Sequence, residues 1–455
     1  MGSQDERFTV GIERAITSKM AGTEETDAQT IRSESFKMNL SGSNLPADIR
    51  GLNRNVRLYP FYVAAFNAFF WMPVFFLYFT SLFSLEKVLL LEAVYYAAVV
   101  LQEVPSGHFS DRFGRRPTLL VSSAALTMAY ALFLFGSGFA IFAAAQALLA
   151  TGVSFNSGTD TSFHFDSLAA LGREAEFAER EARATGYAFT AGAVTAFLGG
   201  AVATLGLHYA YGLSILAGLA TFGIIIATVE PMTHERGAAL AGGFFLQLRQ
   251  CVAHLKNLRL RWLFGFAVLM TVLNHVPYEF YQTYLETLGS ELDLPAKGAP
   301  LAAGGHMAVT MLLGSWFASR SVRVRDRLGL GPALLLSALL QTVIIGMMGF
   351  ILHPAVTLLI LLRGVPRALM TAPLNAAVIP EISQAHRATY LSIQSLAGRL
   401  SFSGVLFLLS WVPVSAAPAE WTSLSLMLQL CGAFGLAGFI ALAATVSPSL
   451  RGGDA

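Results

Sequence analysis

The sequence predicts an all-α integral membrane protein of twelve spanning helices, and three observations carry that prediction. Of the 455 residues, 55% are hydrophobic and only 13% charged, with a mean hydropathy of +0.58. A soluble domain carries about twice that charged fraction. Twelve apolar stretches each approach the roughly 20 residues that a helix needs to cross hydrocarbon. Basic residues fall almost wholly on one side of the resulting pattern.

Residues 1–58 read as a polar tail in which acids and bases alternate (Asp5, Glu6, Arg7, Glu13, Arg14), without the long apolar run of a cleavable signal. The first six spans are expected at 59–83, 88–106, 117–135, 138–160, 185–206 and 209–229. A polar linker, 230–261, separates them from 262–285, 299–319, 330–351, 354–377, 390–412 and 422–446, and a short tail, 447–455, follows. The runs are unbroken and lack period-2 alternation, so they are helices rather than strands. The linker divides the chain into halves, 59–229 and 262–446, as expected of two repeats.

Of 30 Lys and Arg, only Lys87 and Lys297 fall in loops opposite the N-terminus. Arg112, Arg115, Arg116, Arg173, Arg180, Arg236, Arg249, Arg320 and Arg325 all fall on the other side. Positive charge stays inside, which predicts a multi-pass protein of the inner, cytoplasmic membrane with both termini in the cytoplasm. Scattered over loops, these bases form no face for nucleic acid. Cys251 and Cys431 are far apart and lack metal-ligand spacing, so two unpaired thiols are expected. No nucleophile-elbow, zinc or phosphate-loop pattern occurs, which argues against an enzyme, and neither cofactor nor metal is expected.

The tetrad Asp111-Arg112-Phe113-Gly114 after span 2 returns as Asp326-Arg327-Leu328-Gly329 after span 8, the equivalent place in the second half. The first copy lies in Gly107-His108-Phe109-Ser110-Asp111-Arg112-Phe113-Gly114-Arg115-Arg116. This run resembles the signature of the major facilitator superfamily, Gly-x-x-x-Asp-Arg-x-Gly-Arg-Arg/Lys. Gln102-Glu103-Val104-Pro105, Gly158-Thr159-Asp160, Asp166-Ser167-Leu168, Tyr281-Gln282-Thr283-Tyr284 and Arg387-Ala388-Thr389-Tyr390 resemble one bacterial branch of that superfamily. The resemblance covers about 55–446 and implies two six-helix bundles that rock around a central cavity. It implies that Gly107, Asp111, Arg112, Gly114, Arg115 and Arg116 gate the cytoplasmic side. Gly107 offers its backbone to a neighbouring helix, and Asp111 offers an anion to the arginines. The second copy, with Asp326 and Arg327 as the matching gate candidates, departs from the pattern: Val322 replaces the glycine and the arginine pair is missing.

Ionisable groups within spans are functional candidates by default. Span 7 holds His275 and Glu279 one turn apart, beside Asn274, Pro277, Tyr278 and Tyr281. His275 and Glu279 are placed to share a proton or a hydrogen bond. Glu279 is the first candidate for a proton-carrying or substrate-contacting carboxylate, and a structural carboxyl near the outer interface is the alternative. Arg363 and Arg367 in span 10 are candidates to attract an anionic substrate or to counter Glu279, with structural pairing as the alternative. Asp160 and His164 in span 4 suggest proton entry or a network with Arg183 or Arg387, and Glu103 in span 2 is expected to brace the signature loop. Asn67 and Trp71 in span 1 complete the candidates, because the resemblance implies that spans 1, 4, 7 and 10 line the cavity.

Span 4 offers Ala143, Ala144 and Gln146 where drug/proton antiporters often carry arginine, and span 5 has Gly199-Gly200 but no Gly-Pro pair. The branch resemblance nonetheless points to a monomeric, proton-coupled exporter of a drug-like compound or secondary metabolite, such as a siderophore. An uptake permease of the same fold, or a non-transporting receptor or assembly factor, is the alternative.

Overall fold

The computed structural model describes residues 47–231, 244–291, 299–409 and 421–446. The tails up to 46 and from 447, Arg236, Lys297 and the Gln282 side chain lie outside the described residues. No strand occurs among the described residues, and nine helices there are long and apolar enough to cross a membrane. Helices at the positions of spans 1, 2 and 8 complete the twelve.

Spans 2 and 3 are Leu85–Phe113 and Arg115–Phe135, spans 5 and 6 Phe177–Ala203 and Tyr209–Ile226. The linker contains a helix, Phe244–Ala253, before span 7, Leu258–Glu291. Spans 8, 9, 11 and 12 are Ala299–Ala318, Leu330–Phe350, Arg387–Leu409 and Trp421–Thr445. Spans 1, 4 and 10 depart from the expected unbroken rods. Span 1 is built from Ala47–Phe66 and Phe75–Leu82, so its helix begins inside the stretch read as tail and stops for eight residues. Pro73 has no N–H to donate to the helix ladder. The Asn67 amide bonds back to the Val63 carbonyl at 2.8 Å. Span 4 breaks after Phe139–Asn156, at Gly158 with φ +70°, and resumes as Thr159–Ala169. Span 10 tightens to a 3₁₀ turn at Leu361–Gly364 between Pro354–Ile360 and Val365–Val378. Interrupted helices of this kind leave backbone and side-chain polar groups available at membrane depth.

Leu52–Ala455 forms one compact unit. Its two largest apolar clusters each lie within one half. One is built around Phe79, Phe133, Phe142 and Tyr211, the other around Phe266, Leu273, Ile345 and Leu428. Spans 5 and 8 pack along one another, as do spans 2 and 11, and these contacts join the halves. Large apolar side chains such as Leu358 (69% exposed) and Phe350 (70%) face outward. Water would not tolerate so many, and lipid accepts them.

Small residues set the closest approaches. A Cβ on Gly199 of span 5 would lie 2.0 Å from the Phe70 carbonyl oxygen, within the break of span 1. Gly199→Ala is therefore expected to displace that break, costing about 1–3 kcal/mol as overpacking does. A thermal melt of the purified variant checks it, and an unchanged midpoint would show that span 1 yields freely. A Cβ on Gly304 of span 8 would meet the Ala196 carbonyl of span 5 at 2.6 Å, a small-residue contact across the seam.

Candidate functional site

The signature loop lies at one end of the bundle, here termed the signature end, and at its centre sits Asp111, 5% exposed. Oδ1 accepts from Arg115 Nη1 at 2.5 Å and from the Ala388 N–H at 3.1 Å. Oδ2 accepts from the Thr389 N–H at 2.9 Å, the Thr389 hydroxyl at 2.7 Å and the Gln247 amide at 3.0 Å. Ala388 and Thr389 open span 11, so a carboxylate of the first half caps a helix of the second, where the helix end attracts negative charge.

Arg115 reaches further. Its Nε donates to Asp166 at 3.1 Å, and its Nη2 donates to the Gln384 carbonyl of the second half at 2.8 Å. Arg387 of the second half closes the chain on the other oxygen of Asp166 and also donates to the Ile379 and Ile382 carbonyls. Two aspartates and two arginines thus alternate, all buried. The quartet is neutral as a whole, while the first half alone carries one excess negative charge and the second one positive. Gly107 completes the seam, since a Cβ there would fall 2.6 Å from Ser392 Oγ and 2.9 Å from the Ala388 carbonyl.

Other signature residues do local work. Arg116 donates to the Ile226 carbonyl at 3.0 Å and so caps span 6, while Glu230 accepts from the N–H groups of Arg115 and Arg116 at 2.8 and 2.7 Å. Arg112 is exposed and lies over the Phe113 ring. Gly114 has φ +115° and ψ 161°, and Gly329 repeats this with φ +84° and ψ 160°. Only glycine adopts that backbone cheaply. The second copy therefore repeats the turn without the cross-half bonds. Among the described residues Asp326 pairs only with its neighbour Arg325 at 2.7 Å, and Arg327 is exposed.

Sequence reasoning missed Gln247. This linker residue donates to Asp111, to the Ala385 carbonyl at 3.0 Å and to the Thr389 hydroxyl at 2.9 Å, while its oxygen meets His108 Nδ1. One amide thus touches both halves. Below it Cys251, 1% exposed, donates weakly to the His386 carbonyl at 3.6 Å. Burial, and then the charge of Asp111, push its thiol up to about 12. On the surface, Glu176 takes Arg173 and Arg180 at 2.6 and 2.7 Å, and those bonds hold its carboxyl at about 2. Such an exposed pair contributes only about 0–1 kcal/mol.

Glu181, also unanticipated, organises a second cluster. Its Oε2 accepts from His164 Nδ1 at 2.9 Å and from the Tyr59 hydroxyl at 3.4 Å, and its Oε1 accepts from Asn375 of the second half at 3.3 Å. Tyr59 stacks on His164 with centroids 3.9 Å apart. Asp160 accepts from Asn156 at 3.3 Å, which in turn accepts from the Tyr62 hydroxyl at 2.5 Å. Neither Asp160 nor Glu181 has an arginine or lysine partner among the described residues.

Several expected pairings take a different form. His275 bonds the Thr271 carbonyl at 2.6 Å instead of Glu279, because the ring turns back along its own helix. Glu279 and Tyr278 are exposed, and Glu279 interacts electrostatically with Glu92 of span 2. No ion pair joins Arg363 to Glu279 among the described residues. Glu103, fully buried, does not brace the signature loop. It accepts from Ser157 at 2.6 Å beside the break of span 4, with Arg399 at 3.9 Å. Arg183 pairs with Glu179 on the surface at 2.5 Å, leaving Arg387 to Asp166. Trp71 stacks on Tyr211 within its own half, and Asn67 is bound to its own backbone.

A family model described as Major Facilitator Superfamily matches residues 58–405. Similar solved structures include the human organic anion transporter MFSD10 (TETRAN), 17% identical, covering 88% of this chain and 100% of that one with a TM-score of 0.61. The E. coli fucose:proton symporter FucP is 14% identical over 88% and 100%, with a TM-score of 0.61. The nucleoside transporter NupG is 11% identical over 87% and 100%, with a TM-score of 0.62. At these identities the likeness is one of fold. A search of the curated proteins found no significant match.

Proposed function

The chain belongs to the major facilitator superfamily, and from that premise we propose that it moves a small organic molecule by alternating access, as a proton-coupled exporter. The observation that carries the reading is the placement of the cross-half bonds. Asp111 to span 11, Arg115 to Gln384, Asp166 to Arg387 and Glu181 to Asn375 all lie toward the signature end. Halves 59–229 and 262–446 joined in this way are closed toward one end, and parting there separates the neutral quartet together with the Thr190–Ser315, Ser315–Gly186 and Arg399–Glu103 contacts. The basic loops support placing this end, and both termini, in the cytoplasm. They likewise support a place in the inner membrane.

Proton exchange is assigned to Asp160, His164 and Glu181 in preference to Glu279. Two carboxyl groups, Glu181 buried and Asp160 half-buried, with one imidazole are neutral only when they hold extra protons, and an unpaired buried charge is costly. Asn375 ties that charge state to the position of the second half. Uptake is the rival direction, favoured by the symporter among the similar folds.

Inverted membrane vesicles with and without the protein, energised and offered a metabolite library, separate these readings. Protein-dependent accumulation that a protonophore abolishes is the expected result. Accumulation only in right-side-out vesicles would reverse the direction, insensitivity to the protonophore would remove proton coupling, and none in either orientation would end the transport reading.

A further inference from the structure

Arg363 sits where span 10 tightens, 9% exposed, and has no carboxylate partner among the described residues. Its Nη1 donates to the Thr310 hydroxyl at 2.9 Å, the Ile360 carbonyl at 3.3 Å and His306 Nδ1 at 3.4 Å. Arginine is a permanent donor. His306 Nδ1 must therefore accept, which puts the imidazole proton on Nε2. That Nε2 is buried and has no partner among the described residues. Below both groups lies Tyr281, stacked on His306 with centroids 5.5 Å apart and 4.2 Å from the guanidinium carbon. The Arg363 Nε and Nη2 groups make no hydrogen bond among the described residues.

One turn along, Arg367 is exposed, and its guanidinium makes neither hydrogen bond nor ion pair there. It interacts electrostatically with Arg399, a second cation. On this wall of the second half Arg363 and Arg367 thus have no carboxylate partner, and the Nε2–H of His306 no acceptor, among the described residues, while Arg399 beside them lies 3.9 Å from Glu103. A buried cation left unpaired is costly, and a guanidinium fork matches an oxyanion in shape. An apolar or cationic ligand would leave every one of these groups unanswered.

We propose that Arg363, with the Nε2–H of His306, is the seat of the oxyanion head of an organic acid, and that Arg367 guides the acid to it. This deepens the transport reading by naming its substrate class, and it rests on that reading for the cavity.

The test reads binding rather than flux. Purified protein in lipid nanodiscs is melted with acetate, succinate, benzoate, naphthalene-2-carboxylate and cholate, each beside its neutral amide, and with inorganic phosphate and sulfate. At least one organic acid is expected to raise the midpoint by about 3 °C or more near saturation, while its amide does not. Arg363→Gln should weaken that acid by about 30-fold, and Arg363→Lys should retain part of the affinity without the fork. If Arg363→Gln does not fold, the exposed Arg367→Gln is the variant to read, with a several-fold loss expected. No stabilisation by any organic acid, equal stabilisation by the amide, stabilisation by phosphate or sulfate alone, or unchanged affinity in the variants would each overturn the assignment. Accumulation in vesicles with no acid binding would leave the transport reading standing, and acid binding with no flux would do the reverse.

Discussion

Asp111→Asn is expected to unlock the signature end and to expose Cys251 to alkylation. Five donors converge on this carboxylate, among them Arg115 and the first N–H groups of span 11. Removing one partner of a buried, hydrogen-bonded ion pair costs about 3–5 kcal/mol. Here the loss falls on the closed arrangement, because the bonds across the seam exist only while the halves meet. About 5.5 kcal/mol carries a two-state equilibrium from 1:99 to 99:1, so the substitution covers most of that distance. Cys251 reports it without added labels. Its thiol is held up at about 12 by burial and by the Asp111 charge, and only the thiolate reacts. Opening removes both causes and returns the group toward about 8.5. Labelling by maleimide at pH 7.5 should then rise by about 100-fold or more. Cys431, buried in the core of the second half, serves as the control that stays protected. Equal protection of Cys251 in the variant and the parent would show that Asp111 does not hold the gate shut.

The twelve spans could be read from sequence because hydropathy is a local sum over about 20 residues. The breaks in spans 1 and 4 could not be read in that way. Residues 69–72 remain apolar, so the sum runs smoothly across the interruption, and only Pro73 and Gly158 mark it. The signature predicted a cluster of Asp111 with Arg112, Arg115 and Arg116, and of these only Arg115 meets Asp111, while Arg112 is exposed and Arg116 bonds the end of span 6. The further partners Asp166 and Arg387 stand 51 and 221 residues from the groups they bind, a distance at which spacing carries no signal. Gln247 shows the same limit, since it contacts residues 136 to 142 positions away from a helix that reads as linker. Glu181 left one trace, a carboxyl one helical turn from Phe177 on the buried face entering span 5. In the second copy, the loss of the glycine at Val322 and of the arginine pair marked in sequence what the structure displays. The turn at Gly329 survives there, and the lock does not.

Glu181→Gln is expected to abolish proton coupling, whereas Glu279→Gln is expected to preserve it. The glutamine keeps the volume and one acceptor for Asn375, yet it never exchanges a proton. His164 then faces a neutral amide, and Asp160 remains as the lone carboxyl of the cluster beside Tyr59 and Tyr62. Coupling between two ligands is a free energy of about 1–3 kcal/mol, or about 5- to 150-fold in affinity, and it is reciprocal. A pH step that changes substrate affinity by that factor in the parent should change it by about onefold in the Glu181 variant. Accumulation driven by the gradient should be lost, while gradient-free exchange across the membrane continues, because the lock at Asp111 is intact. Glu279 lies exposed, with no hydrogen bond among the described residues and no link across the seam comparable to Asn375. Its neutralisation leaves the charge state of the cross-half cluster as it was. Coupled accumulation that survives Glu181→Gln and fails in Glu279→Gln would move the proton site to span 7 and leave the cluster at Glu181 as a structural tie.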